Sequence, residues 1–139
     1  MPQRSVKPTL AACLLRAAAA RLPLPRDSAD ELALRAHIAL AALRRGQGGL
    51  SDLHKLSQAL QLVALLAQRA LDPDVGERAR RALEGCCAEG RQRGVWALAD
   101  WQAVAEVVTL YDLLLHDTPK HVLRDAVAHL ASARDETLP

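Results

Sequence analysis

From about Ser28 to Ala133 the apolar residues of this chain recur at three- and four-residue spacing, the period of an α-helix buried along one side. They are densest in Ala59-Leu60-Gln61-Leu62-Val63-Ala64-Leu65-Leu66-Ala67. Residue chemistry agrees with the period. Ala and Leu dominate the hydrophobic residues, Phe is absent, and the aromatics are Trp96, Trp101 and Tyr111. Ala and Leu are strong helix formers, whereas strands favour β-branched and aromatic side chains. A chain of 139 residues suits one domain that buries a core without disulfide or metal staples. The expectation is an all-α fold: a single antiparallel bundle of five to six helices spanning 1–139, with flexible tails at 1–8 and 134–139.

Local signals divide the chain. A first helix is expected from about Thr9 to Arg21, ended by Pro23 and Pro25. Ser28-Ala29-Asp30-Glu31 has capping-box spacing and opens a second, which Gly46-Gln47-Gly48-Gly49 stops after about Arg45. A third runs from about Ser51 to Leu71 on a seam of Leu53, Leu56, Leu60, Val63 and Ala67. On it, Leu62 and Leu65 fall in the arc otherwise held by His54, Gln58 and Arg69. Another helix of the chain or a second chain must therefore cover them. Asp72-Pro73 pairs a cap with a first-turn proline and opens a fourth helix, about Pro73 to Arg91. That element is expected to be short or frayed, because Gly76, Gly85 and Gly90 each weaken a helix interior by about 1 kcal/mol. A fifth, about Val95 to His116, carries the stripe Trp101, Val104, Val108, Tyr111 and Leu115; a sixth runs from Thr118-Pro119 to about Ala133.

Net charge is only +2, unevenly placed. Residues 1–26 hold Arg4, Lys7, Arg16, Arg21 and Arg26 and no acid, hence +5, while residues 96–139 sum to −4. Such asymmetry steers a partner or favours head-to-tail self-contact, and it also describes ordinary solvated faces. Cys13, Cys86 and Cys87 make an odd count, and adjacent Cys86 and Cys87 point to different sides of a helix. Small buried thiols in a reducing cytoplasm fit better than a disulfide framework. Leu10-Ala11-Ala12-Cys13 imitates a lipoprotein cleavage box, but no apolar segment precedes it, and Arg16 interrupts the run that follows. With no stretch approaching the roughly 20 apolar residues of a membrane span, a cytoplasmic location without membrane contact is expected.

Reactive constellations are sparse. His121, Asp125 and His129 rise along one face of the sixth predicted helix, as metal ligands one turn apart do. The two histidines, however, are about 12 Å apart along the axis, and a solvated polar stripe explains the same residues. His37, set among Leu34, Ala36, Ile38 and Leu40, has no orienting acid or nucleophile nearby in sequence. No catalytic residue, metal or cofactor is expected, and the chain reads as a non-enzyme. Arg78, Arg80, Arg81, Arg91 and Arg93, with Arg16 and Arg21, invite a nucleic-acid reading. Asp74, Glu77, Glu84 and Glu89 dilute that cluster to +1 over residues 73–95.

The remaining feature is surplus apolar surface. The second, third and fifth predicted helices are each apolar over more than one stripe, more than a bundle of this size encloses, and surplus face is buried against a partner. Leu62, Leu65 and Leu66, with Trp96, are the candidate partner-binding residues. A compact core with the third helix in the middle is the competing arrangement.

Leu34-Arg35-Ala36-His37-Ile38-Ala39-Leu40-Ala41-Ala42-Leu43-Arg44, and Leu110-Tyr111-Asp112 leading to Pro119, resemble small helical proteins from phage and mobile-element neighbourhoods of GC-rich proteobacteria, some labelled Fis-like regulators. That resemblance implies a protein that binds and modulates a host or element-encoded component. The Fis family proper ends in a DNA-reading helix-turn-helix. Here the last predicted helix is followed by Arg134-Asp135-Glu136, so no functional residue is carried over. The expected function is an interaction module, self-associating as a homo-oligomer, that regulates or inhibits a partner protein by occupying its surface. The alternative is a small DNA-binding transcriptional regulator using the arginines named above.

Overall fold

The structure, a computed structural model, describes residues 9–67 and 72–137. The tail at 1–8, with Arg4 and Lys7, and the expected end of the third helix at Leu71 lie outside the described residues. Among the described residues six helices follow one another: α1 (Leu10–Arg21), α2 (Arg26–Arg44), α3 (Leu50–Leu66), α4 (Pro73–Arg93), α5 (Trp101–Asp117) and α6 (Lys120–Thr137). Among the described residues there is no strand, only isolated bridges between Pro23 and Pro119 and between Gln47 and Trp96.

Several ends form as their residues dictate. Thr9 Oγ1 accepts the Ala12 N–H at 3.2 Å, and Asp72 accepts that of Asp74 at 3.0 Å, each satisfying an orphan donor of a first turn. Past α2, Gly46 takes φ +74°. Its N–H donates to Leu43 O while that of Gln47 donates to Ala42 O, the Schellman pairing that only a left-handed residue closes easily. Other ends depart from expectation. α2 begins at Arg26 directly after Pro25, with no side-chain cap, so Ser28 lies inside the helix. The fifth helix starts at Trp101, not Val95, because Asp100 is its cap, accepting the Ala103 N–H at 3.3 Å. α6 continues past Ala133 to Thr137, making Asp135-Glu136 helical.

The expected weak element is the longest helix. α4 spans 21 residues with Ala79, Ala82, Leu83, Cys86 and Gly90 buried. Gly90 is a seat: the Trp96 indole lies where a Cβ would stand.

α2, α3, α4 and α5 form a four-helix bundle in which α3 and α5 touch across the middle, each also packing on α2 and α4. The ion pairs His116–Asp30 and His37–Asp112 and the stacking of Arg44 on Trp101 run antiparallel along α2 and α5. The principal core includes Leu43, Leu56, Val63, Leu83, Val104 and Val108. α6 then lies along α3, and α1 lies on α6. A second cluster of Ala29, Ala33, Leu62, Leu115, Leu123 and Ala126 joins α6 to the bundle, and Tyr111 packs against both clusters.

Candidate interaction surface

Of the two ways to cover the leucines of α3, another helix of the same chain is the one realised. Leu62 is only 8% exposed and belongs to the cluster containing Leu123 and Ala126 of α6, while Leu65 and Leu66 are half-buried against that cluster. Trp96 is half-buried over Gly90, packed on the principal core. The face drawn from the sequence is therefore largely interior.

Free apolar surface appears elsewhere. On α2, Leu34 and Ile38 stand one turn apart, each 58% exposed, and neighbouring Ala41 is exposed too. Ala29, Ala33, Ala36, Ala39 and Leu43 already bury the opposite side. α2 thus carries two apolar stripes, an inward one of four alanines and Leu43 and an outward one of Leu34, Ile38 and Ala41. The alanines let α3 and α5 approach closely, while Leu34 and Ile38 meet water. On α1, Leu10, Leu14 and Leu15 are all exposed.

Between α3 and α4 runs an open cleft, about 630 Å³ at the Leu50 end and about 540 Å³ at the Ala67 end. Ser57, Leu83 and Glu84 line both parts, so the two form one groove. Its rim holds Glu77, Arg80 and Glu84. Arg80 is pinned between both carboxylates, which push its pKa up and, through the Arg80 hydrogen bond, draw that of Glu77 down.

The α4 arginines are mostly engaged. Arg78 donates from Nε and Nη2 to both oxygens of Asp100, at 3.0 and 3.2 Å, tying α4 to the start of α5. Arg81 Nε lies 3.4 Å from Glu77. Arg16, Arg21, Arg91 and Arg93 are exposed.

Sequence reasoning missed a polar clasp between α2 and α5. His116 donates from Nδ1 to the Asp112 carbonyl and from Nε2 to Asp30, both at 2.8 Å. Two acceptors on the two ring nitrogens call for the doubly protonated imidazolium. The carbonyl of Asp112 first, then Asp30, raise the pKa of His116. His37 Nε2 lies 3.8 Å from Asp112 Oδ2, so its acidic neighbour comes from a distant helix. No sequence signal links positions that far apart. On the same helix, the Thr109 hydroxyl donates to the Ala105 carbonyl one turn back. The clasp holds α2 against α5.

His121, Asp125 and His129 lie exposed on α6, and among the described residues no three His, Cys, Asp or Glu side chains gather as a metal would require. No described helix is long and apolar enough to cross a membrane. Comparison with protein-family models, curated proteins and solved structures finds no match to this chain.

Proposed function

We propose that this chain is a non-enzymatic helical interaction module that regulates or inhibits a partner protein by occupying part of its surface. The observation that carries the reading is the outward stripe of α2, with Leu34 and Ile38 each 58% exposed. Exposed single leucines are ordinary, but two large aliphatic groups one turn apart are the anchors by which helical faces dock. Glu31 and Arg35, paired at 2.7 Å beside the stripe, supply a polar rim. The resemblance to proteins of mobile-element neighbourhoods implies the same role. Cys13, Cys86 and Cys87 are all free thiols, which suits a reducing compartment such as the cytoplasm.

The decisive experiment recovers the partner on the wild-type chain and then tests it with Leu34→Glu and Ile38→Glu. Both positions face water, so the variants keep their helicity. Expected are loss of the partner from either variant and loss of the wild type's effect on that partner's activity. A partner retained by both variants sinks the α2 face. The DNA-binding alternative receives less support, because Arg78, Arg80 and Arg81 are already paired with acids. It requires an affinity for duplex DNA that falls steeply with salt.

A further inference from the structure

Six positions of α2 and its C-cap form one line. Asp27, Glu31, Leu34, Ile38, Ala41 and Arg45 follow one another at alternating spacings of four and three. At about 100° per residue they fall within about 60° of Leu34, the seam of a helix that packs along another. Every one of the six is exposed. Buried Ala33 and Ala39 lie about 100° and 140° from Leu34 on its two sides. α3 and α5 therefore stand back from the line and leave room for a further helix.

The line is complementary to its own reverse. It opens with an acid, closes with a base and is apolar in the middle. A two-fold axis level with Ala36 brings Leu34 of one α2 against Ile38 of another, Ala41 against the methylenes of Glu31, and Asp27 against Arg45. Asp27 and Arg45 meet no ion-pair partner among the described residues. The other charges beside the line are engaged within the chain: Asp30 accepts from His116, Glu31 accepts from Arg35, and Arg44 stacks on Trp101. His37 faces Asp112, and Arg26 lies about 100° around the helix from Asp27. The unengaged charges on the line are thus one acid and one base, equally far from Ala36 on its two sides. An unrelated surface has no reason to require that symmetry. A second copy in antiparallel register requires it.

We propose that α2 packs antiparallel on α2 of a second copy in this register and builds a two-fold dimer. The pairing rests on reading the outward stripe as a docking face, and it names a second copy as an occupant of that face. A regulated partner then competes with that copy, and the dimer is the form that withholds the face.

Sedimentation velocity of the full chain under reducing conditions, over a wide concentration range, tests it. The wild type is expected to dimerise reversibly. Leu34→Glu is expected to weaken the dimer by about a hundredfold or more, since it buries an unpaired charge in the seam. Asp27→Arg and Arg45→Asp each set like charges together at both ends and are each expected to weaken it by about tenfold. Combined as Asp27→Arg/Arg45→Asp, they are expected to restore association to within about threefold of the wild type. All these positions are exposed, and circular dichroism checks that each variant keeps its helicity. Both charge changes oppose the helix dipole, so recovery in the double variant does not come from a firmer α2. A wild type monomeric throughout, a dimer that Leu34→Glu leaves intact, or a double variant as weak as the single ones would each overturn the proposal. A monomer that still loses its partner on Leu34→Glu sinks this pairing alone. A dimer that follows the charge pattern, while a captured partner ignores Leu34→Glu and Ile38→Glu, sinks the partner reading alone.

Discussion

At the scale of single residues, identical substitutions in α4 are expected to act with opposite sign. Gly90 is buried with the Trp96 ring against it, whereas Gly85 is exposed with nothing within 4 Å of where a Cβ would sit. Gly90→Ala must push the indole off its seat, and overpacking of this kind costs about 1–3 kcal/mol. Gly85→Ala only removes backbone freedom from an exposed helix interior, a gain of about 0.5–1 kcal/mol. Urea unfolding midpoints of the two variants check the pair. If both variants prove more stable than wild type, Trp96 does not depend on Gly90 for its place. The thiol beside this region is governed by burial as well: Cys86 is 2% exposed, and desolvation raises its pKa, so it resists thiol reagents that reach Cys13.

Between elements, the strongest test is the α2/α5 clasp. Its imidazolium form is held by the Asp112 carbonyl and the Asp30 carboxylate, which raise the pKa of His116 above the ordinary 6.5. A raised folded-state pKa stabilises fully below the unfolded value and loses that contribution as pH climbs through the folded value. Stability is therefore expected to fall as the solution is taken upward from pH 6.5. His116→Gln should flatten that slope in urea titrations at a series of pH values. An unchanged slope in the variant would place the titrating group elsewhere. This clasp also marks where sequence reading stopped. Asp30 and His116 are 86 positions apart, and no periodicity connects them. Six helices were legible because Ala and Leu recur with helical spacing and because Asp72-Pro73 and Gly46 act within a few residues of themselves. Ends set from a distance were not. Asp100 caps α5 while gripping Arg78, 22 positions earlier, and Gly90 looks like a breaker until Trp96 is laid upon it. The docking face misled for the same reason. Leu62 has the pattern of a surplus apolar residue, and only the arrival of Leu123 and Ala126 on α6 makes it interior.

For the whole molecule, two hydrophobic clusters imply two levels of cooperativity. α3 packs on α2, α4, α5 and α6, so no helix in the principal bundle opens without disturbing it. α6 is held chiefly through Leu123 and Ala126 in the second cluster, and α1 packs on α6. The outer layer α6–α1 is thus expected to open before the α2–α5 bundle does, as a sub-global unit. Leu123→Ala separates the two levels. Leu123 is 6% exposed, and truncating a buried leucine costs about 2–5 kcal/mol. Its partners Leu62 and Leu115 stay anchored in α3 and α5, so the loss falls on attachment of α6 and not on the principal core. Amide hydrogen exchange is expected to quicken through α6 and α1 by a factor of ten or more, since about 1.4 kcal/mol already corresponds to a tenfold change in an opening equilibrium. Exchange at Val63, Val104 and Val108 is expected to move much less. Tyr111 touches both clusters, and burial raises its phenol pKa. Its fluorescence and titration therefore report whether the boundary has opened. Uniform acceleration through α3 and α6 together would mean that the two clusters unfold as one core, and that α6 is as integral to the bundle as α5.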